Sequence, residues 1–282
     1  MTPWNQVTII GTGLIGGSLG LAMKQAGLAR TVVGVGHRQT TLDRALASGA
    51  ADTTTLDAAE GVAGSDLVVL ATAVGLFEPL LRRAADRLAD GAVVIDVGST
   101  KADVVRTGEA LVPDGRTFVG CHPIAGSEKR GIDYADAGLF DGAVCVLTPT
   151  EATPADALGR VAETWEALGM RVVRLSPAEH DRLLAEVSHL PHLAAAALVQ
   201  AVRPEAEPLV GSGWRDATRI AGGDPGLWRD ILMTNSGNVA AALERFRETL
   251  DALDDALARG DGDRIEALLA DAKARRDRIV GE

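Results

Sequence analysis

The chain has 282 residues, 46% of them hydrophobic and 24% charged, with a formal net charge of −11. That balance suits a globular protein with room for two domains; the acidic excess argues against nucleic-acid or anionic-membrane partners, both of which need a basic face. Residues 1–6 lack a secretion-signal pattern, no apolar stretch approaches the roughly 18 residues of a membrane span, and Cys121 and Cys145 are too few for a metal cage or disulfide framework, so the expected setting is the cytoplasm.

In chain order, short β-branched runs at 7–10, 31–35, 67–70, 93–97, 117–119, 143–147 and 172–175 alternate with helix-length stretches at 14–27, 41–49, 76–88 and 154–169. The alternation predicts βαβ units and a mostly parallel sheet covered on both faces. The order of the later strands stays open. After Ser176-Pro177, an N-cap followed by a first-turn proline, the texture turns all-helical. Leu243, Phe246, Leu250, Leu253 and Leu257 mark one helix face within a stretch from 239 to 279. The expected fold is α/β: a Rossmann-like dinucleotide-binding domain over 1–175, then an all-helical domain over 176–282.

The first strand runs into Gly11-Thr12-Gly13-Leu14-Ile15-Gly16, and a helix pattern follows. In this spacing Gly11 permits a tight turn, Gly13 lets a pyrophosphate approach the backbone and Gly16 lets the helix pack on the strand. The N–H groups at the helix start, from Leu14 and Ile15 onward, attract the anion. The expected cofactor is therefore NAD or NADP. An acidic residue about 20 positions on would bind the ribose 2′-hydroxyl of NAD; here Gly36 occupies its place, followed by His37 and Arg38. Arg38 can pair with a 2′-phosphate, which tips the expectation toward NADP.

Three further segments carry polar residues in apolar surroundings. Asp96-Val97-Gly98-Ser99-Thr100-Lys101 lies at a strand's carboxyl end, where ligands of open α/β sheets bind. Ser99 and Lys101 either face that cleft, or Ser99 caps the next helix and Lys101 is exposed. His122, in Gly120-Cys121-His122-Pro123, is placed just after a strand and is the best candidate for a general base. In Glu186-Val187-Ser188-His189-Leu190-Pro191-His192, Pro191 is expected to kink a helix and gather Ser188, His189 and His192. Two histidines without an obvious third ligand do not make a zinc site, so no metal is expected. Arg215 and Arg219 stand four apart and suit carboxylates; Trp228 suggests a pocket wall.

Together these segments resemble the prephenate/arogenate dehydrogenase family. The matching pieces are Gly11 to Ser18, Asp96 to Lys101, His122 to Glu128, Ser188-His189-Leu190-Pro191-His192 and Thr218-Arg219-Ile220-Ala221, in the family's order and across the whole chain. The resemblance implies a two-domain fold whose helical half builds a homodimer, and oxidative decarboxylation of prephenate or arogenate in tyrosine biosynthesis. It implies that His122 is catalytic with Ser99 assisting and that Arg219 binds a substrate carboxylate. Ser188, His192 and Trp228 are then pocket residues, Glu128 bonds near the substrate, and Arg215 belongs to a segment reaching the neighbouring subunit. A chain ending at Glu282 is expected to lack a fused chorismate mutase or ACT-type domain. Two other readings stand beside this one: another two-domain dehydrogenase, of the β-hydroxyacid or pyrroline-carboxylate reductase kind, and a non-catalytic dinucleotide sensor.

Overall fold

The strands form where β-branched residues run together, because those side chains pack well on a pleated surface. The structure, a computed structural model, describes residues 2–126 and 129–281. In chain order the first half comprises β1 (Trp4–Ile10), α1 (Leu14–Gln25), β2 (Ala29–Val35), α2 (Gln39–Ala47), β3 (Thr53–Thr55), α3 (Ala58–Gly61) and β4 (Leu67–Leu70). It continues through α4 (Phe77–Ala84), β5 (Val93–Asp96), α5 (Ala102–Leu111), β6 (Thr117–Ile124), β7 (Val144–Thr148), α6 (Ala155–Ala167) and β8 (Arg171–Arg174). The sheet has eight strands in the order β3-β2-β1-β4-β5-β6-β7-β8. Every neighbouring pair is parallel except β6 and β7. The order reverses direction between β1 and β4, which opens a crevice at their carboxyl ends.

Apolar side chains fill both faces, as in a Rossmann-like sheet. Trp4, Val7, Ile9, Met23 and Trp165 build one layer; Val35, Leu70, Phe77, Val94 and Phe118 build the other. The Trp4 indole N–H, buried in the first, donates to the Thr164 hydroxyl at 3.1 Å.

One strand is added to those expected and one is longer than expected. β3 escaped notice because Thr53-Thr54-Thr55 is polar and three residues long, with no apolar run to mark it. β6 continues past Val119 to Ile124, so His122 lies inside a strand, paired with Val146 of β7, and not in the loop after one. Beyond Val119, β6 pairs with β7 alone, and there Pro123 removes no ladder donor that β5 would need.

The sheet is followed by α7 (Pro177–Leu184), a π-helical turn (Ala185–His189), α8 (Leu190–Ala201), α9 (Ser212–Thr218) and α10 (Pro225–Thr234). The Ser176 hydroxyl caps α7 by accepting the Glu179 N–H at 3.2 Å, with Pro177 in the first turn. The chain divides into two compact units between Asn235 and Ser236, later than the change of texture at 175. The second unit is a pair of helices, α11 (Ser236–Ala258) and α12 (Gly262–Val280). The stretch read as one pattern from 239 to 279 is broken at Gly260, whose φ of 64° is open to Gly and costly for other residues. Along α11, Leu250 and Leu257 remain 47% and 65% exposed, an apolar stripe that this chain leaves uncovered. Among the described residues no helix is long and apolar enough to cross a membrane.

Candidate active site

The turn after β1 is shaped by its glycines. Gly11 has φ 107°, and a Cβ there would meet the Ala71 carbonyl oxygen, just past β4, at 2.5 Å. A Cβ on Gly16 would meet the Gly11 carbonyl oxygen at 1.9 Å, so α1 can sit this close to the turn only with Gly at that position. Around Gly13, the N-cap of α1, a Cβ would meet nothing within 4 Å. The first N–H groups of α1, at Leu14 and Ile15, therefore border open space at the positive end of a helix. Beside them the Thr12 hydroxyl is buried with no hydrogen-bond partner among the described residues. An open, donor-lined cradle with an orphaned hydroxyl fits a dinucleotide. At the end of β2, Gly36 would bring a Cβ to 3.0 Å from Leu42, and His37 and Arg38 are exposed.

Asp96 ends β5, and Lys101 follows it across a short turn. Both side chains are fully buried and form an ion pair. Asp96 also accepts the N–H of Gly98 at 2.8 Å and of Cys121 at 3.1 Å. Burial pushes its carboxyl above the ordinary value, while Lys101 and the two amides favour the charged form. Lys101 is thus neither exposed nor open to a cleft, which corrects both sequence expectations for it. Ser99 does not cap α5 either: the N–H groups of Lys101 and Ala102 are taken by the Asp181 carboxylate of α7, at 2.7 and 2.8 Å. A remote carboxylate satisfies the orphan donors of the helix start, and Ser99 stays half-buried on the turn.

His122 is buried on β6 with its Nδ1 at 2.8 Å from His180 Nε2. His180 Nδ1 in turn lies 2.8 Å from an Asp181 carboxylate oxygen. Burial, with His180, Lys101 and His189 nearby, pushes the His122 imidazole well below its ordinary value and keeps it neutral. Burial alone would raise the Asp181 carboxyl, but the His180 N–H and the amides of Ala102 and Lys101 outweigh it and hold it below the usual range.

The π-helical turn Ala185–His189 carries the next group, with Pro191 in the first turn of α8. Where a kink was expected the structure has this wide turn, directly ahead of a proline that has no N–H to donate. His189 is buried, and its Nδ1 lies 3.1 Å from the Asn235 side-chain amide, which also donates to the Asp181 carbonyl at 2.7 Å. An amide N–H directed at Nδ1 puts the imidazole proton on Nε2, and Nε2 has no hydrogen-bond partner among the described residues. His192 stacks on Trp228, ring centroids 3.6 Å apart and planes 11° from parallel, and bonds to the backbone of Ile220. Arg219, the neighbour of Ile220, is exposed on the turn Arg219–Gly222, and Arg215 is exposed on α9. Ser188 is half-buried on the π-helical turn. Glu128 lies outside the described residues.

The buried neutral histidines make stability depend on acid. Burial lowers His189 to about 4. The unfolded chain takes up a proton as pH drops below about 6.5 while the folded chain refuses it until near its own, lower value. This contribution is therefore complete above pH 6.5 and drains as pH falls from there toward 4. His189 alone should cost about 3 kcal/mol across that window, at roughly 1.4 kcal/mol per pH unit. Urea unfolding at pH 7.5 and 4.5 measures it; equal stabilities at the two would contradict the buried neutral state.

A family model described as the prephenate dehydrogenase nucleotide-binding domain matches residues 19–174, and one described as the dimerization domain of the same enzyme matches 176–271. The chain belongs to the prephenate dehydrogenase family. A Bacillus subtilis prephenate dehydrogenase is 31% identical over 255 residues, covering 88% of this chain and 68% of that protein. The crystal structure of the prephenate dehydrogenase from A. aeolicus in complex with hydroxyphenyl propionate and NAD+ superposes with a TM-score of 0.90 at 33% identity, covering 98% of each chain. Synechocystis arogenate dehydrogenase superposes at 0.83 with 30% identity, covering 97% of this chain and 99% of that one.

Within this family chain, the structure joins His122 to His180 and Asp181, a link sequence reasoning missed. His180-Asp181 reads as ordinary polar helix, and its partner lies 58 residues away. His189 stands in a segment the sequence marks, but the proton on its Nε2 depends on Asn235, which no local pattern ties to it. The structure also brings His192 and Trp228 together, next to the turn that bears Arg219.

Proposed function

We propose that the chain catalyses the oxidative decarboxylation of prephenate, or of its amino counterpart arogenate, in cytoplasmic tyrosine biosynthesis. The observation that carries this reading is a buried neutral His122, engaged through Nδ1 so that Nε2 is left for a substrate, in a chain of this family. His122 accepts the proton of the ring hydroxyl at Nε2, with Ser99 assisting from its turn. When bound, the nicotinamide supplies the acceptor for the hydride that leaves the same ring carbon. Loss of the ring carboxylate as carbon dioxide then makes the ring aromatic. Arg219 and the His189 Nε2–H bind and orient the substrate's negative charge, and the His192–Trp228 stack walls the pocket, together with Ser188. The chain's work is largely alignment and placement of the base.

In this reading residues 1–175 bind the dinucleotide through Gly11, Gly13, Leu14, Ile15 and Gly16, and residues 176–282 supply the substrate side and the homodimer. The exposed Leu250 and Leu257 on α11 support association with a second copy, and Arg215 serves the neighbouring subunit's cleft. NADP is preferred over NAD, since Gly36 offers no carboxylate and Arg38 stands exposed at the end of β2. Arg38→Ala is expected to weaken NADP binding by roughly ten- to hundredfold, a charged hydrogen bond being worth about 1.5–3 kcal/mol. NAD binding should stay within about twofold, and equal losses for both cofactors would remove Arg38 from the phosphate site. Reduced-cofactor absorbance with prephenate or arogenate, each with NAD or NADP, tests the whole proposal. Turnover of one pair supports it; silence in all four, with dinucleotide binding intact, overturns it.

A further inference from the structure

The chain Asp181–His180–His122 runs between two elements that are remote in sequence, α7 and β6, and every link in it is polar and buried. His180 and Asp181 are 0% and 1% exposed, His122 8%. Asp181 is fixed from three sides. One carboxylate oxygen takes the Lys101 N–H and His180 Nδ1, the other takes the Ala102 N–H, and the Asp181 carbonyl takes the Asn235 amide. Nothing so heavily anchored is needed to cap one helix.

The anchoring dictates where the imidazole protons sit. A carboxylate only accepts, so His180 must carry its proton on Nδ1. A neutral His180 then presents a bare Nε2, which obliges His122 to donate from Nδ1 across the 2.8 Å contact. That leaves the lone pair of His122 on Nε2. We propose that Asp181 and His180 are positioning residues that hold His122 in its Nδ1–H form and share the positive charge it acquires on taking the substrate's hydroxyl proton. The proposal rests on the reading of His122 as the base. In the step concerned, the hydroxyl O–H bond breaks and an Nε2–H bond forms. The resulting imidazolium is balanced by the Asp181 carboxylate through His180, with no further proton lost.

The charges around His122 explain why such help is needed. Lys101 faces it from the turn after β5, His180 from α7 and His189 from the π-helical turn; Asp96 neutralises Lys101 and holds the Cys121 amide next door. Burial and these neighbours all oppose a positive His122, which makes a weak base of an isolated imidazole at that place. Asp181 is the anion that opposes them.

Two readouts test this. Nitrogen-15 NMR of the histidines in the resting protein, with dinucleotide absent, reads the tautomers without any turnover. His122 is expected as Nδ1–H in the wild type and as a mixture of tautomers in Asp181→Leu, which removes the acceptor that fixes the proton on His180 Nδ1. In kinetics, Asp181→Asn is expected to lower kcat about 10²- to 10³-fold with KM within about threefold, and to move the acid limb of the pH profile to lower pH. His180→Gln, which keeps an acceptor near His122 but breaks the link to the carboxylate, should lose about tenfold or more in kcat and is the recourse if Asp181→Asn does not fold. An Nε2–H tautomer of His122 in the wild type overturns the proposal. So do variants whose kcat stays within twofold, or which raise KM alone with an unmoved acid limb. A wild type with the expected tautomers but inert toward every cyclohexadienyl substrate keeps the relay and overturns the proposed function instead.

Discussion

Replacing His122 by Asn is expected to cut turnover by roughly 10²–10⁴-fold, the usual contribution of a positioned base, while dinucleotide affinity stays as it was. The separation of effects follows from the architecture. The dinucleotide cradle is built from Gly11, Gly13 and Gly16 at the turn into α1, and none of its geometry depends on a side chain of β6. His122, in contrast, stands on β6 and bonds through Nδ1 to His180. Asn can occupy part of the imidazole's space and meet His180, yet it has no lone pair basic enough to take a hydroxyl proton. Fluorescence titration with the dinucleotide and steady-state kinetics separate the two quantities. A variant with near-normal kcat would dismiss His122 as the base, and one that loses dinucleotide binding would mean that β6 shapes the cradle.

The second large effect is expected from Lys101→Met, which should destabilise the fold by about 3–5 kcal/mol at neutral pH. The substitution keeps the length of the side chain but leaves the Asp96 carboxylate buried without its counter-ion. The amides of Gly98 and Cys121 still donate to it, at 2.8 and 3.1 Å, and temper the loss without cancelling a buried charge. Asp96 already has its carboxyl raised by burial; without Lys101 it is raised further. A raised carboxyl binds protons in the folded state that the unfolded state has released, so the variant loses stability as pH climbs above the unfolded value of about 3.9. The deficit against wild type should therefore be smaller at pH 5 than at pH 8 in urea unfolding. A deficit under 1 kcal/mol, or one that grows on acidification, would contradict the buried pair.

What could be read from the sequence was local. The glycine spacing, the cap at Ser176-Pro177 and the β-branched runs each rest on residues within a few positions of one another, and short-range sterics and hydrogen bonds decide them. The family segments were likewise contiguous. What stayed hidden depends on distance along the chain. Lys101 looks like a surface cation after a helix-capping serine until Asp96 and Asp181 close around its backbone and its ammonium. β3 carries no apolar signal because its three threonines sit at the edge of the sheet, where strand pairing with β2 and not burial defines it. Pro191 signals an interruption of the helix, but its form, a π-helical turn over Ala185–His189, is not written in any local pattern, and His189 meets Asn235 from 46 residues away. The sheet-plus-helices architecture is shared with other two-domain dehydrogenases, and membership of the prephenate dehydrogenase family separates this chain from those.

The most direct measurement is the stoichiometry of one reaction followed to completion: reduced nicotinamide by absorbance and released carbon dioxide by trapping, from a known amount of prephenate with NADP or NAD. One equivalent of each is expected per prephenate consumed, the two appearing together. Carbon dioxide without reduced cofactor, or reduced cofactor without carbon dioxide, would contradict an oxidative decarboxylation.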